Sequence, residues 1–144
     1  MSLQVNKIAD EEELKSVFKI REEVFVFEQE VNPTDEYDEF EETSTHFLAV
    51  LNGKPVGTAR WRFTQNGVKL ERFAVLKEAR GLGVGQALVE AVLSDISAND
   101  ATIGKLKYLH AQLSAVSLYS KFGFKKEGDI FEECKILHYK MKLA

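Results

Sequence analysis

The sequence predicts a mixed α/β (α+β) fold, in which a mostly antiparallel sheet contains one parallel central pair of strands and is flanked by about four helices. Apolar residues alternate along several segments, as in strands, and recur every three to four residues along others, as in helices. Asn-Gly dipeptides at 52–53 and 66–67 mark tight antiparallel turns. A helical pattern separates the strand at 68–75 from the strand at 107–113, and such a crossover favours parallel pairing.

The N-terminal part begins with a strand and a helix. Residues 3–8 alternate in polarity and predict the first strand. Asp10 and Glu13 form a start that resembles a capping box, and apolar residues then recur at helical spacing, so a helix is expected over about 11–26. The stretch 29–45 has no clean period and indicates a loop with one short helical turn at most, which we expect to line or cover a site.

The remaining elements follow from the same two periodicities. Their predicted bounds are strands at 46–51, 55–63 and 68–75, a helix at 83–96, a strand at 107–113, a helix at 115–122, a strand from 124 onward and a last strand at 136–143. The first three of these strands should form an antiparallel meander, because Asn-Gly turns connect them. The last strand should pair antiparallel as well, and Gly123 is expected to end the second of these helices.

Length and composition predict one globular domain over residues 1–144. The chain is 44% hydrophobic and 29% charged, which is ordinary for a globular protein. No apolar run approaches the roughly 20 residues that a membrane helix needs, and the N-terminus has no secretory signal, so we expect a cytoplasmic protein without a membrane partner. A net charge of −4 argues against a nucleic-acid partner, because neutralising phosphates requires a basic surface.

Cysteine and histidine usage predicts neither a metal site nor a thiol nucleophile. Cys134 is the only cysteine, and three histidines, His46, His110 and His138, lie far apart in the sequence without the spacing of metal ligands. The acidic neighbours of Cys134 should raise the pKa of its thiol, which makes a catalytic thiolate unfavourable.

A glycine-rich turn after the strand at 68–75 is the strongest functional signal. Residues Arg80 to Gln86 read Arg-Gly-Leu-Gly-Val-Gly-Gln, and a turn that opens a helix presents free amides and the positive end of a helix dipole to an anion. The spacing differs from the dinucleotide fingerprint, and the residues after the last glycine lack the Lys and Ser or Thr of a P-loop. A metal-free pyrophosphate suits this turn, although glycines before a helix also form plain tight turns.

Three stretches together resemble the GNAT superfamily of N-acetyltransferases. The pattern R-x-x-G-x-G at 80–85 resembles the acyl-coenzyme A pyrophosphate loop of that superfamily, and A-x-x-x-Y-x-K-x-G-F at 115–124 resembles its C-terminal helix. Residues 21–29, R-x-x-V-F-V-x-E-Q, resemble the signature of its ElaA-like subgroup. The order of predicted elements also matches over nearly the whole chain. The resemblance weakens at 31–45, and Gln112 stands where many members have Asn.

This resemblance implies acetyl-CoA as the co-substrate and an amine as the acceptor. It implies a splayed gap between the two parallel strands, with the pantetheine arm along the first of them and a backbone amide near Ala74 as the oxyanion donor. The residues it implies for binding coenzyme A are Phe73, Ala74, Val75, Arg80, Gly81, Leu82, Gly83, Val84, Gly85, Gln86 and Gln112.

Candidate catalytic residues follow from the same resemblance. Tyr119 matches the general acid that protonates the leaving thiolate, although its helical spacing also suits a core residue. Glu28 is the first candidate for general base and Glu71 the second, either acting through water. Arg21 and Arg72 are expected to be ion-pair or carbonyl partners, because arginine does not release a proton at neutral pH.

Eight acidic residues between 28 and 42 allow two interpretations: a solvated loop, which is the commoner case, or a negative rim that attracts a cationic amine.

The predicted function is transfer of acetyl from acetyl-CoA to a primary amine of a small molecule or peptide, within a ternary complex. The alternatives are a non-catalytic module that binds acyl-CoA and, further behind, an acyltransferase that resembles acyl-homoserine-lactone synthases. The acceptor is not identified, and the oligomeric state stays open, a homodimer being common among relatives of this fold.

Overall fold

A computed structural model describes residues 2–143 and contains a seven-stranded sheet of order β1-β2-β3-β4-β5-β7-β6. The strands are β1 (Leu3–Lys7), β2 (Thr45–Leu51), β3 (Lys54–Thr64), β4 (Gly67–Val75), β5 (Lys107–Gln112), β6 (Phe124–Glu133) and β7 (Ile136–Leu143). The helices are α1 (Glu11–Arg21), a π-helix (Glu22–Glu28), α2 (Pro33–Glu36), α3 (Val84–Ala98) and α4 (Val116–Ser120). Neighbouring strands are antiparallel except β4 and β5, so the predicted fold class is confirmed.

The first helix differs from the prediction of one regular helix to about residue 26. Its α-helical part ends at Arg21, and the chain continues as a π-helix to Glu28. The amide of Gln29 donates to the carbonyl of Val24 at 3.0 Å, five residues back, which is the π-type spacing. Hydrophobic periodicity does not reveal this change, because one face of the helix stays apolar through it.

Helices cover both faces of the sheet. Along β2, Leu48 and Val50 pack in one apolar cluster with α1, whereas Phe47 and Ala49 pack in another with α3. This alternation is what a strand buried on both faces requires. The face under α1 also carries the π-helix and the acidic segment that follows it to residue 42, and the face under α3 carries α4.

A glycine lets α3 approach the sheet closely. A Cβ atom on Gly57 of β3 would lie 3.0 Å from Val84, 3.1 Å from Leu88 and 3.2 Å from the carbonyl oxygen of Ala74. Because Val84 is the first residue of α3, this contact fixes the start of the helix beside the end of β4. The position of the glycine-rich turn in the fold therefore depends on Gly57.

We expect Gly57→Ala to lower the free energy of unfolding by about 1–3 kcal/mol, because the added methyl group meets backbone as well as side chains. Gly85→Ala is the matched control: its Cβ would approach only Leu118, at 3.3 Å, and a flexible leucine can move. Urea denaturation of both variants measures the difference. Equal stability of Gly57→Ala and the wild type would contradict the close approach.

Candidate active site

The two parallel strands separate at the centre of the sheet. Their pairing ends at Leu70 and Leu109, while β4 continues to Val75 and β5 to Gln112. Over the described lengths of both strands, no ladder joins their facing edges beyond that point. The free edge of β4 therefore offers backbone donors and acceptors to an extended ligand.

A β-bulge in β4 accompanies this separation. Arg72 and Phe73 together stand opposite the single residue Ala59 of β3, and Arg72 has a φ of 58°. A bulge bends its strand and increases the local twist. It also reverses the side-chain alternation, which directs Ala74 into the cluster under α1 and Phe73 and Val75 toward the one under α3.

A cavity of ≈ 140 Å³ occupies the space between the separated strands. Alternation along β5 places His110 and Gln112 on the α1 face and Leu109 on the α3 face, and all three line the cavity. Its other walls come from β4, the π-helix, the acidic segment, α4 and the hairpin that joins β6 to β7. Groups on both faces of the sheet can therefore reach one bound molecule.

Tyr119 of α4 contributes to the wall on the α3 face. Its side chain is 6% exposed and packs edge-on against Phe73, with ring centroids 5.5 Å apart. Burial raises the pKa of the Tyr119 phenol, so the hydroxyl stays protonated at neutral pH. The ring therefore belongs to the core and the residue also lines the cavity, while its role as general acid stays a prediction.

The glycine-rich turn has the geometry of an anion site. Gly81 and Gly83 have φ angles of 78° and 86°, a region that favours glycine, and Gly83 is the N-cap of α3. The next residues, Val84, Gly85 and Gln86, occupy the first turn of this 15-residue helix, where amides have no carbonyl partner within the helix. These amides and the helix dipole favour a negative ligand.

Arg80 links this turn to the π-helix. Its two terminal nitrogens each lie 2.6 Å from an oxygen of Glu28, and its Nε donates to the carbonyl of Val75 at 3.0 Å. The hydrogen bond from Arg80 lowers the pKa of the Glu28 carboxyl. Both side chains remain partly exposed, at 41% for Arg80 and 37% for Glu28, so an incoming anion can compete for the guanidinium.

Glu71 is enclosed on β4 beside two arginines of β3. It accepts hydrogen bonds from Arg60 and Arg62, each at 2.8 Å. Burial raises the pKa of Glu71, but the charges of Arg60 and Lys69 and the hydrogen bonds outweigh burial and leave it lowered. A carboxylate held in this way is a weak proton acceptor.

Gln112 connects the end of β5 to the end of the π-helix. Its side-chain amide donates to Gln29 at 2.8 Å, and both residues line the cavity. Leu82, the remaining predicted member of the cofactor site, is an exposed residue between the two glycines of the turn. The structure therefore places the predicted binding residues in two groups, one around the turn and one along the separated strands.

Buried ion pairs hold the acidic segment on the sheet. Arg21 donates from Nε to Glu36 at 2.6 Å and from its terminal nitrogens to Glu41 at 2.8 and 2.9 Å. Arg60 is fully buried and binds Asp38, at 2.6 and 3.0 Å, and Glu41, at 2.8 Å. Burial raises the pKa of Glu36.

The interpretation of the whole acidic segment as a solvated loop is therefore wrong for Glu36, Asp38 and Glu41. Sequence patterns do not show their arginine partners, which lie 15 to 36 positions away in the chain. The expected supporting roles of Arg21 and Arg72 agree with the contacts: each also donates to the carbonyl of Glu36, at 2.9 and 3.3 Å.

Sequence reasoning missed a second titratable cluster in the cavity. Nδ1 of His110 lies 3.1 Å from Glu133, the last residue of β6, and Nε2 of His138 lies 4.0 Å from the same carboxylate. The two histidines stand 28 positions apart, and only the pairing of β5 with β7 brings them together. Polar residues at alternate positions of the two predicted strands were the available signal.

Two other kinds of feature have no counterpart within residues 2–143. No helix in this range is long and apolar enough to cross a membrane. In the same range, no group of three or more His, Cys, Asp and Glu side chains has an arrangement that could hold a metal ion.

Comparison with known proteins adds independent findings. A family model described as an acetyltransferase (GNAT) domain matches residues 9–144. YjcF of Bacillus subtilis, named an uncharacterized N-acetyltransferase, is 43% identical over 116 residues, 81% of this chain and 81% of that protein. An acyl-CoA N-acyltransferase from Pseudomonas aeruginosa has a TM-score of 0.79 at 26% identity, covering 99% of this chain and 100% of that one. Escherichia coli ElaA shares the fold, with a TM-score of 0.83 at 24% identity and the same coverage.

We expect Arg60→Met to lower the free energy of unfolding by about 3–5 kcal/mol, because Asp38 and Glu71 would lose their buried partner. Lys54→Met is the matched control, since Lys54 forms an exposed pair with Glu78 and its loss should leave stability unchanged. Urea denaturation at neutral pH measures both variants. Similar stability of Arg60→Met and Lys54→Met would contradict the structural role of the buried pairs.

Proposed function

Because the chain belongs to the GNAT family of acetyltransferases, we propose that it transfers an acetyl group from acetyl-CoA to a primary amine of a small molecule or peptide. The family is the one that the motifs at 21–29, 80–85 and 115–124 indicate. The observation that carries the proposal is the position of one cavity, which lies between separated parallel strands, with Tyr119 in its wall and a free strand edge beside it.

The donor is proposed to bind at the glycine-rich turn and along β4. The amides of Gly81 to Gln86 take the pyrophosphate, and Arg80 adds a positive charge once it exchanges Glu28 for the ligand. The pantetheine arm then pairs with the free edge near Phe73 and Val75, as an added strand would. This arrangement directs the thioester into the cavity, toward Gln112 and Tyr119.

Acyl transfer is proposed to proceed by direct attack of the amine on the thioester. The backbone amide near Ala74 stabilises the oxyanion of the tetrahedral intermediate, and Tyr119 donates its phenolic proton to the departing sulfur. Burial raises the pKa of this phenol and makes it a weaker acid. The thiolate forms in the same enclosed space, where burial raises its proton affinity too, so the transfer stays feasible.

The carboxylates suggested by the sequence are poorly placed to act as bases. Glu28 is paired with Arg80, and Glu71 is paired with Arg60 and Arg62, and the pKa of each carboxyl is lowered. Their catalytic roles stay predictions. The contacts favour Glu28 as a partner that orients Arg80, and Glu71 as a fixed part of the sheet.

Coenzyme A affinity tests the donor site. We expect Arg80→Gln to weaken binding of acetyl-CoA roughly tenfold, because it removes a charged hydrogen-bond donor. Glu28→Gln should tighten binding by up to about fivefold, since an exposed carboxylate no longer competes for Arg80. Isothermal titration calorimetry measures both variants, with Glu90→Gln on the exposed side of α3 as the charge control. The absence of any acetyl-CoA binding by the wild type would overturn the proposed function.

Turnover tests the role of Tyr119. We expect Tyr119→Phe to lower kcat by roughly 10²–10⁴-fold while the affinity for acetyl-CoA is kept, because only proton donation is lost. Tyr139→Phe, on β7 and outside the cavity lining, is the matched control. Release of free thiol with a panel of amino acids, polyamines and peptide N-termini provides the measurement. Unchanged turnover by Tyr119→Phe would remove Tyr119 from the mechanism, and binding without turnover by the wild type would favour a non-catalytic acyl-CoA module.

A further inference from the structure

The geometry points to His110 as the group that removes the proton from the acceptor amine, with Glu133 as the residue that positions it; this inference rests on the proposed function. His110 lies on β5, one residue past the last pair that joins β5 to β4. It therefore borders the cavity where the strands begin to separate. Neither residue belongs to the motifs that indicate the family.

The acid and the base would stand on opposite faces of the sheet. Tyr119 packs with the residues under α3, the face that also carries the glycine-rich turn. Side-chain alternation along β5 puts His110 on the other face, because its neighbours Leu109 and Ala111 belong to the cluster under α3. A donor that enters from the α3 face presents its sulfur to Tyr119, and an acceptor that enters from the α1 face presents its amine to His110.

The contact with Glu133 fixes which ring nitrogen can act. A carboxylate accepts hydrogen bonds, so Nδ1 of His110 must carry the proton in their 3.1 Å contact. In the neutral ring, Nε2 then has a free lone pair for the amine. The hydrogen bond from His110 lowers the pKa of Glu133 to about 2, which keeps this carboxylate charged at neutral pH. A charged carboxylate both orients the imidazole and stabilises the imidazolium.

Aromatic packing holds the imidazole in place. The ring of Phe131 lies 5.0 Å from that of His110, edge-on, and 5.7 Å from that of His138, stacked. His138 is itself anchored, since its Nδ1 donates to the carbonyl of Ile136 at 2.7 Å. Both neighbours lie on the β6–β7 hairpin, and this hairpin also supplies Glu133.

Other ionisable groups around His110 are largely occupied by partners of their own. Lys140 stands directly opposite on β7 and pairs with Glu127 at 3.5 Å. Across the cavity on β4, Lys69 approaches Glu71, which the β3 arginines hold. The remaining titratable groups that line the cavity are Asp35, Glu36, Arg72, Tyr119, Cys134 and His138.

His110 and Tyr119 together account for every proton transferred in the reaction. His110 takes one proton from the acceptor ammonium, and the neutral nitrogen forms its bond to the thioester carbonyl carbon. As the C–S bond breaks, Tyr119 gives its proton to the sulfur and recovers one from the nitrogen that becomes the amide. His110 then releases its proton to solvent, so acyl-CoA and an ammonium yield an amide, free coenzyme A and one proton.

The test compares pH–rate profiles of kcat/KM for thiol release, using acetyl-CoA and the amine of the panel that the wild type uses best. His110→Asn keeps a donor near the Nδ1 position for Glu133 but has no base, so kcat/KM should fall at least about 100-fold. The limb of the profile between pH 5 and 8, over which kcat/KM rises as the base loses its proton, should vanish. Glu133→Gln should move that limb to lower pH, because the imidazolium loses its anionic partner. Glu132→Gln, an exposed neighbour that removes the same charge, should leave the profile unchanged.

Three outcomes would overturn the inference. A His110→Asn variant that keeps the rate and the limb of the wild type would exclude His110 as the base. An unshifted limb in Glu133→Gln would exclude the positioning role. The thermal shift of His110→Asn with coenzyme A checks whether that variant folds. If it does not fold, the profile of Glu133→Gln decides the inference. Wild-type protein that neither binds acetyl-CoA nor releases thiol would instead refute the proposed function on which the inference rests.

Discussion

The separation of β4 from β5 is the constraint on which the candidate site depends. A sheet normally satisfies its backbone groups strand by strand, yet here the central parallel pair is joined only up to Leu70 and Leu109. The bulge at Arg72 bends β4, while β3 and β7 keep the outer edges of the two strands paired. The gap leaves a free backbone edge and a cavity at the centre of the protein.

The two faces of the sheet contribute different parts of the candidate site. On the α3 face, the close contact at Gly57 fixes the helix whose N-terminus is the proposed anion site, and Tyr119 is packed into the core beside it. On the α1 face, buried arginines hold the acidic segment over the sheet, so carboxylates that could repel each other share Arg21 and Arg60. Buried ion pairs of this kind add little net stability, because desolvation offsets much of their attraction, but removal of one partner leaves an uncompensated buried charge.

Local patterns in the sequence were sufficient for the order of elements, the antiparallel meander, the parallel pair and the glycine-rich turn. Each of these depends on alternation, helical spacing or turn residues within a few positions. The π-helix, the arginine partners of Glu36, Asp38 and Glu41, and the approach of His110 to Glu133 were not predictable in that way. They arise from strand register and from contacts between distant segments, which no local pattern of residue types encodes.

A crystal structure of the protein with coenzyme A bound tests the central claim most directly. The account predicts that the pyrophosphate contacts the amides between Gly81 and Gln86 and that the sulfur lies between β4 and β5, within about 3.5 Å of the Tyr119 hydroxyl. A pyrophosphate bound elsewhere, or a sulfur outside the gap between the strands, would contradict it.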